Sequence, residues 1–419
     1  MRQNTKFKRT EIGMIPEDWE VLRMCDLVKI NENTISKHYP DKIIEYIDTS
    51  SVDNGRLIGT QILNLKEAPS RAKRIVKDND VLISTVRPNL KHFYFIHKSK
   101  RNLVASTGFA VISAKSINPK FLYYYLTTDT YTNYLSAIAD AHTSTYPSFN
   151  PDIIEDSFCP VPNEDEQSAI SKILSDLDSK IELNQRMNNA LEAIGQALFK
   201  LWFIDFEFPN EKGEPYKSSG GKMVDSEMGE IPKGWGVGKL GEIAENFDSK
   251  RVPLSSRERD PIKGKFPYYG AASIMDYINK YIFDGVYLLM GEDGTVIDDN
   301  EHPILQYVWG RFWVNNHAHV LRGKGVFPTE YLFVLLKNMN IKHIVTGAVQ
   351  PKINQANLNS IKIILPNNKI LALFSNMISH LFNRYRVCQD EINHLISVRD
   401  SLLPKLMSGQ IRVPVEARV

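Results

Sequence analysis

The chain has 419 residues, 42% of them hydrophobic and 24% charged, the make-up of an ordinary folded protein with room for two or three domains. Its formal net charge is only +2, which excludes a uniformly basic nucleic-acid coat but leaves room for local basic patches. Three cysteines, Cys25, Cys159 and Cys388, are too few and too far apart for a disulfide frame or a metal cluster, and suit reduced thiols. The opening MRQNTKFKRTEIG lacks a signal-peptide core, and no run approaches the ~18 apolar residues of a membrane span, so a cytoplasmic protein without membrane contact is expected.

Residues 1–162 open with EIGMIPEDWEV and continue as short β-rich runs, IIEYI, DVLISTV and FYFI, broken by turns. A helix follows Pro119, where Tyr123, Tyr124 and Tyr125 read as aromatic core packing rather than a base-stacking platform. The stretch is an α+β domain. Between Arg71 and Arg101 it carries nine basic residues, Arg71, Lys73, Arg74, Lys77, Arg87, Lys91, Lys98, Lys100 and Arg101, against Asp78 and Asp80. In STVRPNLKHF, Arg87, Asn89 and Lys91 alternate, so an extended segment would put them on one face. Arg suits guanine O6 and N7, Asn suits adenine, and Lys neutralises phosphate. The competing reading is a charged edge that protects a strand.

Residues 163–208 predict one long helix, with Asn163 as N-cap, Glu166 answering it three residues on, and no proline before Pro209. At 1.5 Å per residue it reaches about 60 Å, too long for one small globule. Apolar residues at Ile170, Ile173, Leu177, Met187, Leu191, Ile194, Leu198 and Leu201 trace a seam for another helix. Residues 209–226, NEKGEPYKSSGGKM and its flanks, are rich in Gly, Ser and charge and predict a linker.

Residues 227–366 open with EMGEIPKGWGV and supply the strands YLLM, ILQYVW and HAHVL and a helix after Pro328. Their basic loop carries Lys250, Arg251, Arg257, Arg259, Lys263 and Lys265 before Tyr268 and Tyr269. Residues 367–419 predict a second long helix with seam positions Phe374, Met377, Leu381, Cys388, Ile392, Leu395, Val398 and Leu402, roughened by Arg384 and Arg399, and a short tail.

The two halves are copies. A shift of 204 lays Pro147, Asn163, Leu177, Leu191 and Leu198 on Pro351, Asn367, Leu381, Leu395 and Leu402, and a shift of 216 lays Trp19 on Trp235. A doubled chain tends to fold with pseudo-twofold symmetry, which makes the two helices antiparallel.

Motifs that carry their own chemistry are missing: there is no GxxxxGK[ST], no NPP[FY], and no glutamate followed two residues later by lysine. GVGKLG at Gly236–Gly241, with Asp260 beyond, matches a dinucleotide fingerprint literally, but its left flank MGEIPKGW is no buried strand. His317 and His319 alternate without further ligands nearby, which favours a polar strand face over a metal site. Asp298 and Asp299 read as a turn. Asn316 and His317 join the candidate DNA contacts.

GMIPEDWEV and GEIPKGWGV, NEDEQSAISKILSDLDSKIELN, ALFKLWFIDF, EPYKSSGGKM and LLPKLMSGQIRV together resemble the specificity (S) subunit of type I restriction-modification systems over nearly the whole chain. The resemblance implies an α+β fold with two target-recognition domains joined by two long antiparallel helices. It implies that each domain reads one half of a split site in double-stranded DNA and that the chain itself catalyses nothing and binds no metal or cofactor. Partner methyltransferase (M) subunits, two of them, would bring S-adenosylmethionine, and restriction (R) subunits would bring ATP and Mg. Under it, the candidate DNA contacts are Arg71, Arg74, Arg87, Asn89, Lys91, Lys250, Arg251, Arg257, Arg259, Tyr268, Tyr269, Asn316 and His317. The helix-pair interface would hold Ile170, Ile173, Leu177, Leu191, Leu198, Phe374, Met377, Leu381, Leu395 and Leu402. The alternative is a stand-alone nucleic-acid-binding or scaffold protein that dimerises through its long helices; an enzyme with an unrecognised site is a third class.

Overall fold

The computed structural model describes residues 5–100, 102–142, 146–347 and 349–414. The chain divides into two units, residues 1–182 with 392–419, and residues 183–391. Arg101, among the basic residues singled out above, lies outside the described residues.

In the first unit, the run Val81–Ser84 is buried along its whole length and apolar up to Ser84, the signature of a central strand. It pairs antiparallel with Phe93–Phe95 on one side and Phe109–Ala114 on the other, and Val28–Ile30 completes the sheet. A second four-stranded sheet runs Gln61–Asn64, Ile43–Ile47, Leu103–Ser106, Ala72–Ile75, and its one parallel contact joins Ile43–Ile47 to Leu103–Ser106. Helix Pro119–Leu126 starts where Pro119 fixes φ and Asn118 Oδ1 accepts the Lys120 and Phe121 N–H groups. Phe121, Leu122, Tyr124 and Trp19 fill the core beneath it. Tyr124 donates to Asp178 at 2.7 Å and Tyr125 to the Phe158 carbonyl at 2.6 Å, so the tyrosine run packs and hydrogen-bonds internally.

The second unit repeats this plan, although the sheet sequences share little. One sheet runs Ala244–Asn246, Ala318–Gly323, Tyr287–Gly291, Leu305–Val308, all antiparallel. The other runs Ile274–Ile278, Lys263–Tyr269, Arg311–Val314, Phe283–Asp284, again with one parallel contact, Lys263–Tyr269 to Arg311–Val314. Helix Thr329–Lys337 packs in the main core with Phe374, Ile378 and Phe382. Residues 209–226, expected as a linker, are packed into this unit. Phe208 stacks on Trp235 and on Tyr216, with centroids at 5.0 and 4.6 Å, and Met223–Ser226 forms a hairpin with Gly229–Pro232.

Long helices span Glu164–Phe199 and Asn368–Met407. Asn163 and Asn367 cap them, accepting the Glu166 and Ile370 N–H groups, both at 2.9 Å. Glu166 does not complete a capping box. It is 1% exposed and accepts Trp19 Nε1 at 3.1 Å and two Arg412 bonds at 2.7 and 2.9 Å, while Arg412 also reaches both oxygens of Asp18. In the second unit Ile370 stands where Glu166 does, and the buried Trp235 Nε1 has no hydrogen-bond partner among the described residues.

Pairing is antiparallel within each unit, since partner numbers fall as first-helix numbers rise. In the first unit Glu166 takes Arg412 at 2.7 Å and Asp178 takes Arg399 at 2.9 Å; in the second, Asn184 donates to Glu391 at 2.9 Å and Asn188 to Gln389 at 3.2 Å. Arg399, expected to roughen the seam, is therefore part of the pairing. The seam itself differs from the expected stripe by one row. Ile170, Ile173, Leu177, Leu191 and Leu198 are at least partly covered, but the row Leu174, Ile181, Asn188 and Gly195 is buried throughout, whereas the expected Ile194 is exposed. Ile194 is 52% and Met377 42% exposed, and Ile378 takes the inward place expected for Met377. The row was hidden because it contains Asn and Gly, which no apolar pattern registers. Gly195 is there for proximity: a Cβ would stand 3.1 Å from Ile378 Cδ1 and 3.3 Å from Phe382.

Candidate nucleic-acid interface

Four basic residues of the first unit's run, Arg71, Lys77, Lys91 and Lys100, are tied to acids that lie elsewhere in the sequence. Arg71 pairs with Asp48 at 2.6 Å, Lys91 with Asp129 at 2.6 Å and Lys100 with Glu45 at 2.7 Å. Lys29 and Lys77 both bind Glu32, and their hydrogen bonds hold its carboxyl down at about 2. Arg74 is half-buried on Ala72–Ile75, and burial pushes its pKa down; its Nε has no partner among the described residues. The local excess of positive charge is thus smaller in three dimensions than along the chain.

Arg87, Asn89 and Lys91 do not share an extended face. Pro88–Leu90 is a single turn of 3₁₀ helix, flanked by Arg87 and Lys91 in the left-handed region, φ +48° and +56°. Pro88 starts the turn because its ring presets φ, and alternation ends with the strand at Ser84. Arg87 and Asn89 are exposed, and the Arg87 guanidinium lies 5.0 Å from the ring centre of Tyr146. Tyr146 was not singled out from the sequence, because nothing local links it to a residue so distant along the chain.

In the second unit the basic loop is clamped in place. Arg251 donates to Glu292 at 2.5 Å and to the Ala318 carbonyl at 2.7 Å. Arg259 donates to Asp276 at 2.9 Å and to the Leu254 carbonyl at 2.6 Å, and lies 4.9 Å over Tyr268. Both arginine side chains are only 12% exposed and Tyr268 is 1% exposed, so these three residues shape the loop from inside. Tyr269 is half-buried against Phe312, and burial pushes its hydroxyl to about 12. Lys250, Arg257, Asn316 and His317 are exposed, with Lys250 5.0 Å over Phe247 and His317 2.6 Å from Asp293.

His319 is not on a polar strand face. It is 1% exposed, with Nδ1 2.6 Å from Asp248 and Nε2 2.9 Å from the Ile353 carbonyl. Burial alone would lower its pKa, but the hydrogen bond and charge of Asp248 outweigh it and the net shift is upward. Asp248 moves the other way: burial raises its pKa, the His319 bond lowers it, and the net shift is downward. Both shifts describe an imidazolium held on a carboxylate. Ligand-type atoms of Asp248, Glu292 and His319 lie within 4.8 Å of one another, but Arg251 and the imidazolium balance the two carboxylates, which makes the cluster an internal ion-pair network.

GVGKLG lies on Gly236–Lys239 and the short helix Leu240–Ile243, and that strand pairs only antiparallel, with Lys362–Leu365. A dinucleotide crevice needs parallel strands around its crossover. Asp298 Oδ1 accepts the Asn300 and His302 N–H groups at 2.9 and 2.8 Å, a turn as expected.

A family model described as type I restriction modification DNA specificity domain matches residues 16–193 and 232–392. The type I restriction enzyme MjaIX specificity subunit of Methanocaldococcus jannaschii is 27% identical, over 98% of each chain. The HindI specificity subunit of Haemophilus influenzae is 25% identical over 94% of this chain and all of its own. Among solved structures, a type I restriction-modification S subunit from M. genitalium superposes with a TM-score of 0.54 at 16% identity, covering 96% of this chain and 99% of its own, which is a likeness of fold.

Proposed function

We propose a function from one premise: this chain belongs to the type I restriction modification DNA specificity family, whose domain it carries twice. It is the sequence-specific DNA-binding specificity subunit of a type I restriction-modification complex, with each α+β unit reading one half of a bipartite site. The observation that carries this is the doubling, with the same sheet order and the same single parallel contact in two units whose surface loops differ. Two frames with different loops suit two half-sites of different sequence, since base readout comes from loop side chains and the frame only positions them.

Methylation and cleavage belong to partner subunits in this reading, a methyltransferase carrying S-adenosylmethionine and a restriction subunit using ATP and Mg. The chain contributes the choice of site. The purified chain is expected neither to methylate nor to cleave DNA with any of these cofactors, and to direct methylation to a split site once the methyltransferase subunit is added. Turnover by the chain alone, or methylation without a split site, would overturn the proposal. No helix is long and apolar enough to cross a membrane among the described residues.

A further inference from the structure

Arg87 projects its side chain from a left-handed backbone on a surface turn. Glycine adopts that backbone more easily, and an arginine holds it only where its surroundings determine the turn. Here a second segment does so. The Arg87 N–H donates to the Pro147 carbonyl at 2.7 Å, the Phe149 N–H to the Thr85 carbonyl at 3.0 Å, and Val86 bridges Ser148. Buried Pro88 holds the other side of the residue. This short backbone ladder sets Tyr146 beside Arg87, with the guanidinium carbon 5.0 Å from the ring centre.

Burial of apolar surface does not account for the stack. Tyr146 is 66% exposed and Val86 and Leu90 beside the turn are 37% and 47% exposed, so little apolar surface is covered there. Among the described residues no carboxylate pairs with Arg87, in contrast to Arg71, Arg251 and Arg259. What the stack does supply is orientation. A guanidinium lying on an aromatic face keeps its plane fixed while its N–H edge stays free, and that planar fork matches O6 and N7 of guanine in the major groove.

We infer that Arg87 reads a guanine in the half-site taken by the first unit, and that Tyr146 is a positioning residue that fixes the plane of the Arg87 guanidinium for that contact. The inference rests on the specificity-subunit reading above and assigns one base contact within it.

The test uses the full chain in complex with its methyltransferase subunit, with DNA selected from a randomised pool and affinity for unrelated duplex measured alongside. Arg87→Lys keeps the charge and removes the fork. Arg87→Gly removes the side chain where φ is positive, so the turn is retained. Both are expected to relax one G·C position of one half-site by about tenfold or more while every other position stays selected. Affinity for unrelated duplex should fall less under Arg87→Lys than under Arg87→Gly, because only the lysine keeps a cation close to the phosphates. Tyr146→Ala should relax the same position, and Tyr146→Phe, which keeps the ring face, should restore it. A wild-type complex that selects no split site overturns both the specificity reading and this assignment. A selected site whose positions all survive Arg87→Lys and Arg87→Gly overturns the Arg87 assignment alone. Relaxation by the Arg87 variants but not by Tyr146→Ala overturns the positioning role.

Discussion

Single residues divide here into those that hold the recognition units together and those left free to meet DNA. Arg412 belongs to the first kind, with four bonds to Glu166 and Asp18 around the Trp19 indole. Arg412→Ala leaves Glu166 with one donor in a site that is 1% exposed, and is expected to cost about 2 kcal/mol in denaturant unfolding, near the range for hydrogen bonds to charged groups. Lys91, held by Asp129, should leave base selection unchanged when replaced by Ala, as read by selection from a randomised pool. His319 makes the second unit pH-dependent. Its folded pKa is raised above 6.5, so the stabilisation is fully present below 6.5 and is lost as pH rises through the folded value. Asp248 is lowered from 3.8, so its share is present above 3.8 and is lost as pH falls through the folded value. Thermal unfolding across pH 6 to 9 should show the alkaline loss, and His319→Gln should flatten it; an equal loss in the variant would mean another group titrates.

Among elements, the long helices show why the seam was half visible. The row Ile170, Leu177, Leu191, Leu198 is apolar and could be read directly, whereas the row through Leu174, Ile181, Asn188 and Gly195 needs the facing helix to make sense of it. Asn188 is covered because Gln389 meets it, and Gly195 because Ile378 and Phe382 press close. Gly195→Leu should therefore destabilise the second unit by about 1 to 3 kcal/mol through overpacking, even though leucine is the better helix former. Calorimetry would show it, and a rise in stability would mean the helices can move apart there without cost. The 3₁₀ turn at Pro88–Leu90 carries the same lesson for loops. Alternating residues predict a shared face only while the strand lasts, and it ends at Ser84.

On the scale of the whole molecule, the helices Glu164–Phe199 and Asn368–Met407 each supply residues to both units. Four residues inserted into both, near Asn188 and Ile392, add about 6 Å to each at 1.5 Å per residue and keep the seam roughly in phase. DNA rises about 3.4 Å per base pair, so the preferred spacer should grow by one or two base pairs with both half-sites unchanged. Selected sites with the old spacer and new half-site sequences would show that helix length does not set the separation. The duplication, the cap at Asn163, the internal packing of Tyr123–Tyr125 and the family itself were determined by the sequence alone. Each depends on nearest neighbours along the chain or on a repeat long enough to compare with itself. Only the tertiary structure decided which charges are free. Asp48, Glu45, Asp129, Asp276 and Glu292 reach their basic partners from other segments of the fold, and no local count of charge can see a counter-ion that folding brings in. It also decided that Tyr146 lies on Arg87, because the backbone ladder that joins their segments forms only after the sheet has placed both ends.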